Sequence, residues 1–505
     1  MAISFDNVSQ NSRASMNFIE LAGVRRSFAS LSIPPHLALV GQYDPAKTGI
    51  TDYAPQVVID SNDVGNRYGF GSHIHRQSLK IPASVYASGG GVTAFPVPEA
   101  GGGTQATGTL IFTGTASSAG TLYFLIGGVL VQVGVTSGDT ATVIGDSLVA
   151  AITAKRDIAV TAANVTGTVT LTTIGKGTYG NEIYVKQNPS GKSQEDAAPG
   201  TTVVTGTALN AFLTGGATDP DLHDVFFDAG EADVLGDTWY TVFTAPYADA
   251  TNLGYYATSG DLRADPSVKR FFGAYPFYVN KTRTEALAIP ATINKEWIGA
   301  CWDSRAYAPA FELSAEIAGI IAREQNLAPS RPYKTLALSD SGNTSTPDST
   351  YFQADALFRA GMGYCKLDQA GVLRLGDLPL TYRTDVNGGD TEEWFDAVSL
   401  HARQAKVYSI EQLFNSEPYT RGVVVDDNAV TNVDFAIAPK DVIADLTKLI
   451  DDLWVPNGWT KNRDDVVASL TAEINAGNNS RIDSAVTDDE AKALRIIAIK
   501  YAYLY

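Results

Sequence analysis

Cysteine is nearly absent: only Cys301 and Cys365 occur in 505 residues. Two cysteines are too few for a disulfide framework, and these lack the spacing of a metal-ligand set. Each lies in an apolar, strand-like run, so two buried reduced thiols are expected. A bridge, within or between chains, is the alternative in oxidising surroundings. Positive charge is also scarce. The chain has 37 Lys and Arg against 55 Asp and Glu, a formal net charge of −18. A surface that grips phosphate backbones needs clustered basic groups, so the balance argues against direct nucleic-acid binding. No uncharged apolar stretch reaches the ~18 residues of a membrane span. The longest candidate, 121–135, is interrupted by Gly127-Gly128. Met1-Ala2-Ile3-Ser4-Phe5-Asp6 has neither the basic head nor the apolar run of a signal peptide, so a cytoplasmic product is expected.

Glycine is plentiful, at 46 residues, and it punctuates a compact stretch from Gly103 to Ile183. The run 104–114 alternates β-branched and small residues, as half-buried strands require. Two further apolar runs, 121–126 and 129–135, meet at Gly127-Gly128, a hairpin signal because glycine accepts the positive φ of a tight turn. After Ser137-Gly138-Asp139 the period changes. Ile144, Leu148, Ala151 and Ile152 predict one amphipathic helix with a polar N-terminal cap. Residues 158–161 and 168–172 return to strand spacing, and 177–183 close a small β-rich module.

On either side the pattern is different. Leu37–Val40 reads as an apolar strand ending in Gly41-Gln42. After Gly215-Gly216, the runs 239–245, 271–279 and 297–302 read as strands, the first buried on both faces as in a parallel sheet. Pro309 opens a helix whose buried stripe is Leu313, Ile317, Ile320 and Ile321. Strand alternating with helix implies an α/β domain with crossover connections, formed from 31–102 and 216–376, with 103–215 inserted. A hairpin, 364–367 and 372–375, leads into 377–494. There helices are expected at 392–414, around Leu446, Leu449, Ile450 and Leu453, and around Val467, Leu470 and Ile474. Both ends alternate: Ile3 and Phe5 at the start; Ile497, Ile499, Tyr501, Tyr503 and Tyr505 at the finish. Aromatic and β-branched residues at period two favour strand there, and an exposed terminal strand is a hazard unless a partner covers it.

The motifs that would carry chemistry are incomplete. A Ser-His-Asp site needs a histidine beside an exposed serine. In 216–376 the only histidine is His223, inside Asp219-Pro220-Asp221-Leu222-His223-Asp224, and it reads as a solvated turn residue. That turn also fails as a calcium loop, since His223 occupies the third ligand position. Ser190-Gly191-Lys192-Ser193 copies the end of a phosphate loop, but Lys186 replaces its first glycine. His73 and His75 alternate along what reads as an extended segment and lack a third ligand, so packing or surface roles are expected. No catalytic residue, cofactor or metal is assigned.

Several stretches in order carry a resemblance: Gly114, Gly127-Gly128, Ser137-Gly138-Asp139-Thr140, Gly177-Thr178-Tyr179-Gly180-Asn181, and outside the module Leu37–Gln42, Phe70-Gly71-Ser72 and Phe95-Pro96-Val97-Pro98. Together they resemble the contractile phage tail sheath proteins of the Mu-like type. The resemblance implies a subtilisin-like α/β middle domain, an inserted outer β-rich domain and an α+β C-terminal assembly domain. It also implies a linking arm at 1–30 and a linking strand at 495–505. In that reading Ile3, Phe5, Ile497, Ile499, Tyr501, Tyr503 and Tyr505 join neighbouring subunits through a shared sheet. Leu380–Thr384 stands where the family has a strand. The implied partners are further copies in hexameric rings of a helical polymer, the inner tail tube, the baseplate and the tail terminator. The implied place is a virion tail assembled in a host cytoplasm. The alternatives are the sheath of a phage-derived injection device and, from another class, an α/β hydrolase-like enzyme with a carbohydrate-binding domain.

Overall fold

A computed structural model of the chain describes residues 33–188, 203–342, 346–429 and 433–501. Ile3, Phe5, Ser190-Gly191-Lys192-Ser193, Tyr503 and Tyr505 lie outside the described residues. The chain is a mixed α/β protein that divides into two compact units. The larger holds 33–408 and the last residues from Glu490; the described part of the smaller is 409–489.

The larger unit contains two five-stranded sheets. In the first, His36–Gln42 sits between Gly91–Val97 and Val242–Phe243, parallel to both; Gly273–Ala274 extends one edge and Gln56–Val58 the other. Its central strands are buried along their length, as continuous apolar runs in parallel sheets require. In the second sheet, Phe277–Tyr278, Cys301–Trp302 and Gly363–Leu367 run parallel, and Val372–Leu375 and Ala337–Ser341 add antiparallel strands. The run 271–279, expected as one strand, is therefore shared between two sheets. Pro276 lies at the changeover, where a missing N–H suits a break in the ladder.

One core continues through both sheets and around the helix Ala310–Leu327. That helix is buried on every side from Ala310 to Ala322, so its apolar stripe lies on a helix covered all round. Its buried acids have partners, Glu324 accepting from Arg323 at 2.8 Å. Glu312 receives Arg76 Nε at 2.7 Å and lies 3.5 Å from Lys80, and Glu316 accepts the amide of Ser339. Pairing offsets part of the cost of desolvating these charges.

Residues 106–213 bury a core of their own between two four-stranded sheets. The predicted hairpin is present: Gly120–Ile126 pairs with Val129–Val135, and Gly127 and Gly128 take φ of +51° and +79°. The helix Ala141–Thr153 turns Ile144, Leu148 and Ile152 inward, with the Thr140 hydroxyl capping its first turn. The incoming and outgoing strands are adjacent, joined by antiparallel bridges from Thr104 to Ala217 and from Thr107 to Thr214.

The seam between this module and the sheets around it is polar and specific. The Arg76 guanidinium donates to the carbonyls of Asp157 (2.8 Å) and Gly127 (2.9 Å) while holding Glu312. From the other side, Glu182 of the module accepts the amide of Ala310 at 3.2 Å, at the start of a helix that no side chain of its own caps. Burial and the nearby Asp219 push the Glu182 carboxyl up to about 8, while the unpaired N–H groups at the helix start pull the other way.

Four expectations need correction. His73 and His75 lie on a short helix, His73–Ser78, and both are buried. The helix expected from Glu392 starts at Ala397, and Leu380–Thr384 forms no strand. The helix expected through Ile474 ends at Ala468, because Thr471–Ile474 pairs instead with Ile482–Ala485.

Candidate functional site: a linking segment and an open groove

The five histidines are packing and hydrogen-bonding residues. His73 stacks on Tyr247 and is flanked by Tyr179 and Phe311, with its Nδ1 3.2 Å from the Gln42 amide. Burial lowers it to about 3. His75 Nδ1 accepts from Gly71 N at 3.0 Å, and His36 meets the Thr93 hydroxyl at 2.7 Å. Burial lowers both to about 4. His223 opens a four-residue helix and lies between Asp224 (2.8 Å) and Glu231 (3.3 Å), whose carboxylates raise its pKa. His401 is buried against Tyr275 and Gln404. Among the described residues no cluster of three or more His, Cys, Asp or Glu is arranged to hold a metal.

Cys301 and Cys365 are free thiols, both buried in the core of the second sheet. They are neighbours: a hydrogen bond between the two side chains, together with burial, pushes the Cys365 thiol well up.

The end of the chain has another character. From Glu490 to Arg495 the backbone forms neither helix nor strand, yet side-chain contacts tie it to the larger unit at residues 490, 492, 494 and 495. Glu490 lies 3.2 Å from Arg403, and Lys492 stands 5.6 Å from the Phe395 ring centroid. Lys334 Nζ donates to the Leu494 carbonyl at 2.6 Å. Arg495 reaches Asp377 (3.3 Å) and Asp396, its guanidinium 4.7 Å from the Phe395 centroid and 4.9 Å from that of Phe358. Beyond it Ile497, Ile499 and Tyr501 are 73%, 85% and 84% exposed, and Ile496 is 69% exposed. The period-two alternation thus exposes every residue of 496–501 here and forms no strand. Apolar groups this open mark a surface that has a use.

Within the smaller unit a groove of about 520 Å³ lies between two small sheets. One pairs Val423–Val424 with Ala436–Ile437, and the other pairs Thr471–Ile474 with Ile482–Ala485. Val423 and Val424 line one side, Ile482, Asp483 and Ser484 the other, with Phe414, Ile437 and Val442 among the apolar residues between them. Phe414 is braced edge-on by Tyr419 at 4.9 Å, and Tyr419 is anchored by its hydroxyl on Asp445 at 2.8 Å. Gly422 keeps the groove open beside Ile437, whose Cδ1 would lie 2.7 Å from any added Cβ. A two-stranded sheet leaves its outer backbone groups without ladder partners, so the strands beside the groove have edges that can accept another. Residues 409–489 also carry 15 Asp and Glu against six Lys and Arg, half of the chain's net −18. By contrast, 490–505 carry Lys492, Arg495 and Lys500 against Glu490 alone. The terminal residues were legible in the sequence; the groove was not, since its sides are some 60 residues apart.

Comparison with known proteins finds a likeness to a tail sheath protein. The chain is similar along its whole length to the Mu-like prophage FluMu tail sheath protein of Haemophilus influenzae, with 23% identity over 506 residues and 99% of each chain covered. No family model matches it. Solved structures it resembles loosely include the sheath tail protein Lin1278 from Listeria innocua (9% identity, 91% of this chain and 92% of that one, TM-score 0.47). Another is the helical sheath of the anti-feeding prophage in its contracted state (15%, 60% and 78%, TM-score 0.39). The sequence match, not these likenesses, carries the relationship.

Proposed function

We propose that this chain is the sheath subunit of a contractile tail. It polymerises helically around an inner tube and contracts to drive that tube through a cell envelope. The observation that carries the reading is the end-to-end match to a tail sheath protein, which leaves no long segment of either chain unaccounted for. The groove supplies the physical means. An extended segment laid between Val423–Val424 and Ile482–Ser484 would satisfy both open edges, giving backbone hydrogen bonds for affinity and side-chain pockets for register. The segment we assign is 495–505 of another copy, together with the arm 1–30. The linking residues are Ile3, Phe5, Ile497, Ile499, Tyr501, Tyr503 and Tyr505. The opposite charge of the tail and the smaller unit favours this encounter over other contacts.

The α/β middle region is subtilisin-like in topology, with domains at 31–102 with 216–376, 103–215 and 377–494. The subunit is structural rather than catalytic and requires no cofactor. Contraction is a rotation and sliding of rigid domains into a denser lattice while the linked segments keep subunits together. Hexameric rings, the tube, the baseplate and the terminator are the partners. The tail of a virion, assembled in a host cytoplasm, is the place. The experiment is electron microscopy of the purified full chain beside a variant ending at Arg495. Full-length protein forms helical tubes and the truncated one remains folded but unlinked; normal contractile tubes from the truncation would sink the reading.

A further inference from the structure

The sequence places asparagine directly before glycine at two positions, Asn387-Gly388 and Asn457-Gly458. Glycine has no Cβ to screen its own backbone nitrogen from the carboxamide carbon of the asparagine before it. The fold treats the two pairs differently. Asn387 stands in a turn of the larger unit, where the Asp385 amide donates to the Gly389 carbonyl at 2.8 Å and Val386 is 94% exposed. The Asp385 side chain accepts the amides of Asn387 and Gly389, both at 2.8 Å, and leaves Gly388 between them to a bond of 3.0 Å with the Asp385 carbonyl. A Cβ placed on Gly388, at φ +83°, would meet nothing within 4 Å, so its backbone is open to the side. Among the described residues the Asn387 carboxamide has no hydrogen-bond partner. Asn457, in the smaller unit, is held: its Nδ2 donates to the Leu453 carbonyl at 2.7 Å, and the Gly458 amide donates to Val455 at 3.1 Å. The residue after that pair, Trp459, is buried with its amide on the Trp454 carbonyl at 2.8 Å.

We propose that Asn387 is a site of spontaneous deamidation, at which the folded chain modifies itself with water as the co-reactant. The Gly388 nitrogen gives its proton to solvent base and attacks Cγ of Asn387. The new N–Cγ bond closes a cyclic imide while the Cγ–Nδ2 bond breaks, and Nδ2 takes up a proton and leaves as ammonia. Water then opens the imide at either carbonyl, giving aspartate or its β-linked isomer. The net change is an amide and water to a carboxylate and an ammonium ion, with nothing oxidised or reduced. Attack requires the Gly388 N–H to leave the Asp385 carbonyl, and a single bond in an exposed turn opens far more readily than a packed one. The product sets a new negative charge between Asp385 and Asp390, close to Glu392 and Glu393, on a chain already at net −18. The β-linked form also adds a backbone atom inside the turn. The modification therefore marks the age of a subunit with charge at one surface turn.

Peptide mapping of the full chain tests this. Native protein is held at pH 9 over a time course and then digested at pH 6 with trypsin, which places Asn387 in peptide 384–403 and Asn457 in peptide 449–461. Conversion at Asn387 should run at least about tenfold faster than at Asn457, as the difference in local opening requires. The converted peptide should resolve into two of equal mass, the aspartate form and its β-linked isomer. In guanidinium chloride, where neither turn is formed, the two rates should come within about threefold of each other. Equal rates in the native chain would overturn the proposal, because the fold would then exert no control. A native ratio that persists in guanidinium chloride would overturn it by assigning the difference to neighbouring sequence, and aspartate alone would do so by showing direct hydrolysis. None of these measurements involves assembly, so their outcome stands apart from that of the sheath reading.

Discussion

His401 donates its Nδ1–H to Oε1 of Gln404 across 2.6 Å, and the neighbouring bonds fix that direction. Gln404 spends both amide protons on the carbonyls of Thr241 (3.1 Å) and Phe271 (2.8 Å), so its oxygen accepts. The remaining ring nitrogen then accepts from the Tyr275 hydroxyl at 2.6 Å. The buried ring is thereby satisfied only when neutral, and burial lowers its pKa to about 4.

This yields a pH dependence with a definite sign. Between the ordinary histidine value near 6.5 and about 4, the unfolded chain takes up a proton at residue 401 and the folded chain does not. Stability therefore falls as pH drops through that window, by roughly 3 kcal/mol for this group, and the dependence ends below about 4. His36, His73 and His75, lowered in the same direction, add to it. Urea midpoints of wild type and His401→Gln from pH 7 to 4 should converge as pH falls. Parallel curves would contradict the assignment.

Arg76 is the strongest single tie across the module seam. Arg76→Met strands Glu312 with only Lys80 at 3.5 Å, so a loss of about 3 kcal/mol is expected, toward the lower end for breaking a buried pair. Replacing 104–214 by a short flexible linker should leave a folded remainder, since the strands at its ends are already adjacent. That remainder should melt at lower temperature than the full chain, because the Arg76 and Glu182 contacts go with the module. Differential scanning calorimetry checks both variants.

A charge placed in the groove should separate folding from assembly. Val423 is 47% exposed, so Val423→Lys should move unfolding stability by less than about 0.5 kcal/mol. An added strand would bury the ammonium, and tubes should therefore fail to form. Electron microscopy beside a urea melt decides it; normal tubes from Val423→Lys would remove the groove from the linking role.

Salt should act on assembly in two opposed ways. At low ionic strength the net −18 of each subunit repels its neighbours over distances that a Debye length of about 8 Å removes at physiological salt. Nucleation monitored by light scattering should therefore accelerate from low to moderate salt. It should then slow as screening also weakens the attraction of the basic tail for the acidic smaller unit. Preformed tubes, held by buried strand pairing, should survive the same series. A monotonic decline from the lowest salt, or a requirement for a nucleotide or metal, would contradict this account.

The sequence by itself determined those elements whose instructions are local. Gly127-Gly128 specified the hairpin because two positive-φ residues between apolar runs leave few alternatives. Ile144, Leu148 and Ile152, like the stripe from Leu313 to Ile321, specified helices because their period closes within a few turns. The exposed apolar tail was also legible, as composition and alternation. Only the tertiary structure decided features that depend on distant partners. The run 271–279 is divided between sheets by strands far away in the chain, and Thr471–Ile474 is extended because Ile482–Ala485 pairs with it. His73–Ser78 is too short to be helical alone and is held by burial. At the end of the chain, period two at Ile497, Ile499 and Tyr501 gives each side chain a face. A strand, however, exists only where another backbone supplies its hydrogen bonds, and among the described residues 496–501 form none.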